Sequence, residues 1–148
     1  MNKKAAILIA DDDDDDIFLM QSALEEYGIS NPTTIVKDGL ALLNYLRQNK
    51  DAGVGLILLD LNMPRMDGRE ALKILKSETK LRKIPVIVMT TSKSQEDIED
   101  CYSLGANCYI VKPASFEAFN DTIFTLVKFW IGLSQLPVLQ EDKLKSVC

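Results

Sequence analysis

AAILIADD, residues 5–12, is a run of small and aliphatic residues that stops on a pair of carboxylates. Three further runs repeat the plan. Leu56–Leu59 (LILL) stops at Asp60, Val86–Met89 (VIVM) at Thr90, and Tyr109–Val111 (YIV) at Lys112, followed by Pro113. Short, near-continuous apolar runs suit strands covered on both faces, which is how parallel sheets are buried. As neighbours in one parallel sheet, these strands would gather three carboxylates, a hydroxyl and an ammonium at a single crevice. Open α/β sheets bind their ligands there, outside the carboxyl ends of the strands. Such a set favours a divalent cation held beside an anionic phosphoryl group.

Helical patterns fill the spaces between the runs. Ile17, Met20, Leu24 and Tyr27 recur at helical spacing before Gly28 ends the segment. Asp13 to Asp16 in front of them read as an N-cap and first turn, where the helix dipole favours carboxylates. A short strand near Thr33–Val36 follows the turn Asn31-Pro32, and a helix over Gly39–Arg47 sets Leu40, Leu43 and Leu46 on related faces. Beyond Pro64 a helix is expected near Gly68–Lys76, and Pro85 opens the next strand. Ser94, with Asp97 three places on, reads as an N-cap for a helix that Gly105 terminates. After a strand at Cys108–Val111, Ser115 or its neighbour caps a long last helix containing Phe116, Phe119, Ile123, Phe124, Val127 and Trp130. This alternation predicts an α/β fold, a doubly wound parallel sheet with helices on both faces and right-handed crossovers.

The 148 residues, 47% of them hydrophobic, fit one domain with a sizeable core. No apolar stretch reaches the roughly 18 residues of a membrane span, and the run before the aspartates is too short for a signal-peptide core. A cytoplasmic address is therefore expected. The three cysteines lack Cys-x-x-Cys spacing, which fits reduced thiols. With no histidine, the chain excludes histidine bases, histidine-dependent triads, histidine metal ligands and histidine phosphotransfer within itself. The net charge of −5 is local, because six of the 22 acids are Asp11 to Asp16. No basic stripe is left to collect phosphates, so nucleic acid is not the expected partner.

Asp60 lies in LLDLNMPRMDG, residues 58–68. With the Asp11-Asp12 pair, Thr90 and Lys112-Pro113, it resembles the receiver domain of bacterial two-component response regulators over residues 5–131. The resemblance implies the flavodoxin-like sheet order 2-1-3-4-5. It also implies that Asp60 accepts a phosphoryl group from a sensor histidine kinase or a phosphotransfer protein. The implied cofactor is Mg²⁺, a hard cation that takes few protein carboxylates and keeps places for water and phosphoryl oxygens. Asp12 and Asp60 would be direct ligands, Asp11 would act through water, and Asn62 would offer its backbone carbonyl. Lys112 would pair with Asp60 and then with a phosphoryl oxygen, while Thr90 donates its hydroxyl to another. Thr90 and Tyr109 match the family's switch pair: Thr90 moves toward Asp60, Tyr109 turns inward, and the face made by the fourth helix, fifth strand and fifth helix changes. Asn62 and Ser92 match positions that set autodephosphorylation, the limit of the chain's own catalysis. A cis Lys112-Pro113 bond is implied as well.

FWIGLSQLP (129–137), TTS (90–92) and NCYI (107–110) are similar to single-domain regulators that serve bacterial phytochrome kinases. That similarity implies a light-sensor kinase as donor and a homodimer through the last-helix region. Residues 132–148 read as a tail extending the last helix, with no separate output domain. Two other readings compete. One is a Mg²⁺-dependent aspartate-nucleophile phosphatase of the haloacid dehalogenase type, but Asn62 stands where its second carboxylate is needed. The other is an unphosphorylated receiver-like scaffold, against which the intact acceptor, acid pair, Thr90 and Lys112 argue.

Overall fold

The computed structural model describes residues 5–137. Strands β1 (Ala6–Ala10), β2 (Thr33–Val36), β3 (Val54–Leu59), β4 (Val86–Thr90) and β5 (Cys108–Val111) alternate with helices. These are α1 (Asp14–Glu26), α2 (Gly39–Gln48), α3 (Gly68–Ser77), α4 (Gln95–Ser103) and α5 (Phe116–Val127), and a π-helical segment, Lys128–Leu133, follows α5. All strand pairings are parallel, in the order β2-β1-β3-β4-β5. The expected doubly wound sheet is therefore the observed one. The chain reverses its direction of winding at β1, so the crevice opens at the carboxyl ends of β1 and β3.

Strand periodicity divides the core into two layers. Leu8, Ala10, Ile57, Leu59, Val86 and Val88 face α2 and α3, with Leu42, Leu43, Leu46, Leu72 and Leu75 packed on them. Ile7, Ile9, Leu56, Leu58, Ile87 and Met89 face α1 and α5, covered by Met20, Leu24, Phe119, Ile123 and Leu126. Each α-helix opens on a side-chain cap: Asp13 accepts from the Asp15 and Asp16 amides, Asp38 from Ala41, Asp67 from Glu70, Ser94 from Asp97 and Ser115 from Ala118. In a right-handed crossover the helix starts lie beside the strand ends, so their amide-rich termini share the rim with the acidic residues.

Four expectations need correction. Leu40 is exposed, and Leu42 takes the core position with Leu43 and Leu46, since the buried stripe is set by where α2 lands on the sheet. β3 starts at Val54, with Gly55 letting Ala5 and Leu136 approach closely. The last helix changes to π geometry at Lys128, where the Ser134 amide donates to the Phe129 carbonyl five residues back at 2.8 Å. It stops at Leu133, and the rest of the proposed tail, residues 138–148, lies outside the described residues. Finally, the Lys112-Pro113 peptide is not cis. The trans form is the lower-energy isomer of an X-Pro bond, and Lys112 keeps its amide on the Thr90 carbonyl at 2.7 Å in that form. Among the described residues, no helix is long and apolar enough to cross a membrane.

Candidate phosphoryl and metal site

The sheet carries Asp11, Asp60, Thr90 and Lys112 to one rim because each directly ends, or directly follows, a strand. The ladders continue to the site itself: the Asp11 amide donates to Val36 at 3.0 Å and the Asp60 amide to Ala10 at 2.9 Å. Asp11, Asp60 and Thr90 are buried polar residues, whereas Asp12 is exposed. One carboxylate oxygen from each of Asp11, Asp12 and Asp60 lies within 4.8 Å of the others. Three hard oxygens this close, with Asp12 facing solvent, fit a divalent cation that retains water.

Lys112 is the centre of the charge arrangement. Its side chain is 4 % exposed, and its Nζ lies 2.7 Å from Asp11 Oδ2, 2.7 Å from Asp16 Oδ2 and 3.2 Å from Asp60 Oδ2. Burial pulls the ammonium's pKa down, but hydrogen bonds to Asp11 and Asp16 outweigh it and leave the value above the ordinary lysine range. Asp11 behaves in the opposite way. Burial pushes its pKa up to about 6, against the lowering influence of Lys112 and of the Asp13 amide, which donates to Asp11 Oδ1 at 2.9 Å.

The loop after β3 is pinned against the Asp60 and Leu61 backbone. Gly68 donates its amide to Leu61 at 2.9 Å, and a Cβ on Gly68 would stand 2.2 Å from the Asp60 carbonyl oxygen. Arg65 takes the left-handed conformation (φ 64°) and pairs with buried Asp38 at 2.7 Å, joining the loop to the cap of α2. Asn62 donates its amide to Asp60 Oδ1 in a long contact of 3.4 Å.

On the other side of the rim, the Thr90 hydroxyl is fully buried and has no hydrogen-bond partner among the described residues. An orphaned buried hydroxyl costs free energy, and an oxygen arriving at Asp60 is a partner of the right kind. Tyr109 is half-buried and donates its phenol to the Ser92 carbonyl at 2.9 Å. Ser92 in turn donates its hydroxyl to Asp97 at 2.6 Å, and Arg69 holds the same carboxylate at 2.7 Å.

The structure thus brings together the predicted Asp11, Asp12, Asp60 and Lys112, with the Asn62 amide against Asp60 and Thr90 ending the neighbouring strand, whereas the Tyr109 hydroxyl is held by Ser92. Sequence reasoning missed Asp16 as a partner of Lys112, and it missed the Arg69–Asp97–Ser92 chain. Asp16 carried a readable signal: it is four residues after Asp12 and adjoins buried Ile17, so it borders the face of α1 turned to the sheet. The pairing of Asp97 with Arg69 carried none, because the two are 28 residues apart. An apolar hollow of about 660 Å³, lined by Leu46, Val54, Leu81 and Ile84, lies by the amino ends of β3 and β4, away from this rim.

Residues 7–124 match the response regulator receiver domain family. The chain belongs to this family. It is 36% identical over 123 residues to response regulator Rcp1 of Synechocystis sp., covering 80% of this chain and 84% of Rcp1. It is 38% identical over 122 residues to a probable methanogenesis regulatory protein, FilR2, of Methanothrix harundinacea, covering 80% and 79%. Among solved structures, the phosphorylated cyanobacterial phytochrome response regulator RcpA superposes with a TM-score of 0.86 at 38% identity, over 90% of this chain and 99% of that one. The Mn²⁺-bound form of Rcp1 gives 0.85 at 35% identity, with the same coverage. The match favours the receiver reading over a dehalogenase-type phosphatase, and receiver domains are signalling modules of two-component systems.

Proposed function

We propose that this receiver is a phosphorylation-switched regulator in which Asp60 accepts a phosphoryl group from a sensor histidine kinase. The acceptor oxygen forms a bond to phosphorus as the donor's nitrogen–phosphorus bond breaks. The electron pair of that bond leaves on the imidazole, which takes up a proton from water. Asp11 (through water), Asp12, Asp60 and the Asn62 carbonyl would hold Mg²⁺, which when bound would offset the charge of the anionic donor. Lys112 and Thr90 bind the transferred oxygens, so catalysis is positioning and charge neutralisation without a side-chain base. Tyr109 then reports the change to the face made by α4, β5 and α5.

The observation that carries this reading is the buried ammonium of Lys112 beside Asp60, next to a three-carboxylate cluster open to solvent at Asp12. Residues separated by 52 positions meet there in a geometry suited to a phosphoryl oxygen. RcpA is described as phosphorylated and as a phytochrome response regulator, and Rcp1 as Mn²⁺-bound. By that likeness the kinase here is of the phytochrome type and residues 5–131 are the receiver; the resemblance of residues 129–137, 90–92 and 107–110 to single-domain regulators adds a homodimer through the α5 region. Partners are proteins rather than nucleic acid or membrane.

Acetyl phosphate with Mg²⁺ tests the reading. A single stoichiometric modification that is absent in Asp60→Asn is expected. Sustained hydrolysis of an aryl phosphate would instead favour a phosphatase, and no modification at all would favour a scaffold.

A further inference from the structure

We propose that Asp16 is a positioning residue for Lys112, competing with Asp60 for the ammonium and so limiting how readily Lys112 turns to an incoming phosphoryl group. The inference rests on the phosphoacceptor reading and adds a residue to it. An ammonium has three N–H donors, and Lys112 meets three carboxylates. The contacts to Asp11 and Asp16, both 2.7 Å, lie in the range of strong charge-assisted bonds, whereas the 3.2 Å contact to Asp60 is longer. The ammonium is thus drawn toward α1 and away from the acceptor.

Asp16 is well placed to hold it. Its amide is fixed by the Asp13 cap at 3.1 Å, Ile17 beside it is buried, and its side chain is 23% exposed. A phosphoryl oxygen on Asp60 recruits the third N–H of Lys112 against two carboxylates on the other side. Turning Asp16 into a neutral acceptor replaces one charge-assisted bond by an ordinary one, roughly half as strong. Lys112 is then freer to face Asp60.

The test measures phosphorylation by acetyl phosphate at saturating Mg²⁺, followed by intact mass, in wild type, Asp16→Asn, Asp16→Glu and Asp15→Asn. Asp15 is exposed and is not among the partners of Lys112, so its variant removes the same charge without the contact. Asp16→Asn is expected to lower the half-saturating donor concentration about fivefold and to lengthen the phosphoryl lifetime after donor removal by a similar factor. Asp16→Glu, which restores a carboxylate, should return toward wild type, and Asp15→Asn should change little. Equal effects of Asp15→Asn and Asp16→Asn, or a higher donor requirement in Asp16→Asn, would overturn the proposal. If wild type is modified at Asp60 and Asp16→Asn matches it, this inference fails alone. If wild type is not modified, the phosphoacceptor reading fails and takes the inference with it.

Discussion

Replacing Lys112 by Met should destabilise the metal-free protein by an amount that depends on pH. The methionine keeps most of the stem volume and deletes the charge. Left behind are Asp11, 2% exposed, and Asp60, 8% exposed, without the ammonium that lies 2.7 and 3.2 Å from them. Breaking a buried ion pair from one side costs about 3–5 kcal/mol. Proton uptake caps that cost. Asp11 already titrates at about 6 because burial outweighs the influence of Lys112, and losing Lys112 raises it further. Protonating an ordinary carboxyl at pH 7 takes about 4 kcal/mol, at 1.36 kcal/mol per pH unit, and wild type with Asp11 at about 6 already carries about 3 of these, so the added penalty at Asp11 is capped at about 1 kcal/mol at pH 7 and the remainder falls on Asp60. The sign follows from linkage. A carboxyl whose folded pKa is raised is penalised above that pKa, and the penalty fades as pH falls toward the unfolded value. Urea unfolding of wild type and Lys112→Met without Mg²⁺ should therefore differ by about 2–4 kcal/mol at pH 7–8 and by under about 1 kcal/mol near pH 4.5. Mg²⁺ at pH 7 should stabilise the variant at least as much as wild type, since the carboxylates remain. A difference independent of pH, or one below about 1 kcal/mol at pH 7, would refute the account of Lys112 as the counter-charge of this rim.

Gly68→Ala should cost about 3 kcal/mol or more and lower phosphorylation, because the new Cβ would collide with Asp60 and Leu61 backbone atoms that cannot swing aside. Thermal unfolding together with the acetyl phosphate assay checks both effects, and a fully active, wild-type-stable alanine variant would contradict the packing. Arg65→Gly should be nearly as stable as wild type, since relief at φ 64° offsets the lost ion pair between the exposed arginine and buried Asp38, whose carboxylate keeps the Ala41 amide, whereas Arg65→Ala should be about 1 kcal/mol less stable than the glycine variant. Urea titration of the two separates them, and equal stabilities would show that the left-handed backbone is not strained. Trp130 lies in the π-helical segment after α5, at the end of that helix remote from the rim. Its fluorescence should change little on adding Mg²⁺, and strong quenching would contradict that placement.

The apolar runs and the polar residue closing each of them are local facts, and they were enough to define this fold. A strand of a doubly covered sheet must be apolar along its length, so the first polar side chain marks where the sheet stops. Asp11, Asp60, Thr90 and Lys112 were therefore legible as rim residues before any contact was known. Helix caps at Asp13, Ser94 and Ser115 were legible for the same reason, since a cap acts within three residues of itself. Which charge meets which was not local. Lys112 reaches Asp11 and Asp16 across 101 and 96 residues and prefers both to Asp60, a ranking set by sheet order, the seat of α1 and tenths of an ångström. The burial of Leu42 in place of Leu40, the π turn at Lys128 and the trans Lys112-Pro113 bond depend likewise on where packed elements come to rest. Periodicity fixes a side chain's face, whereas electrostatic pairing falls steeply with distances that only the assembled tertiary structure supplies.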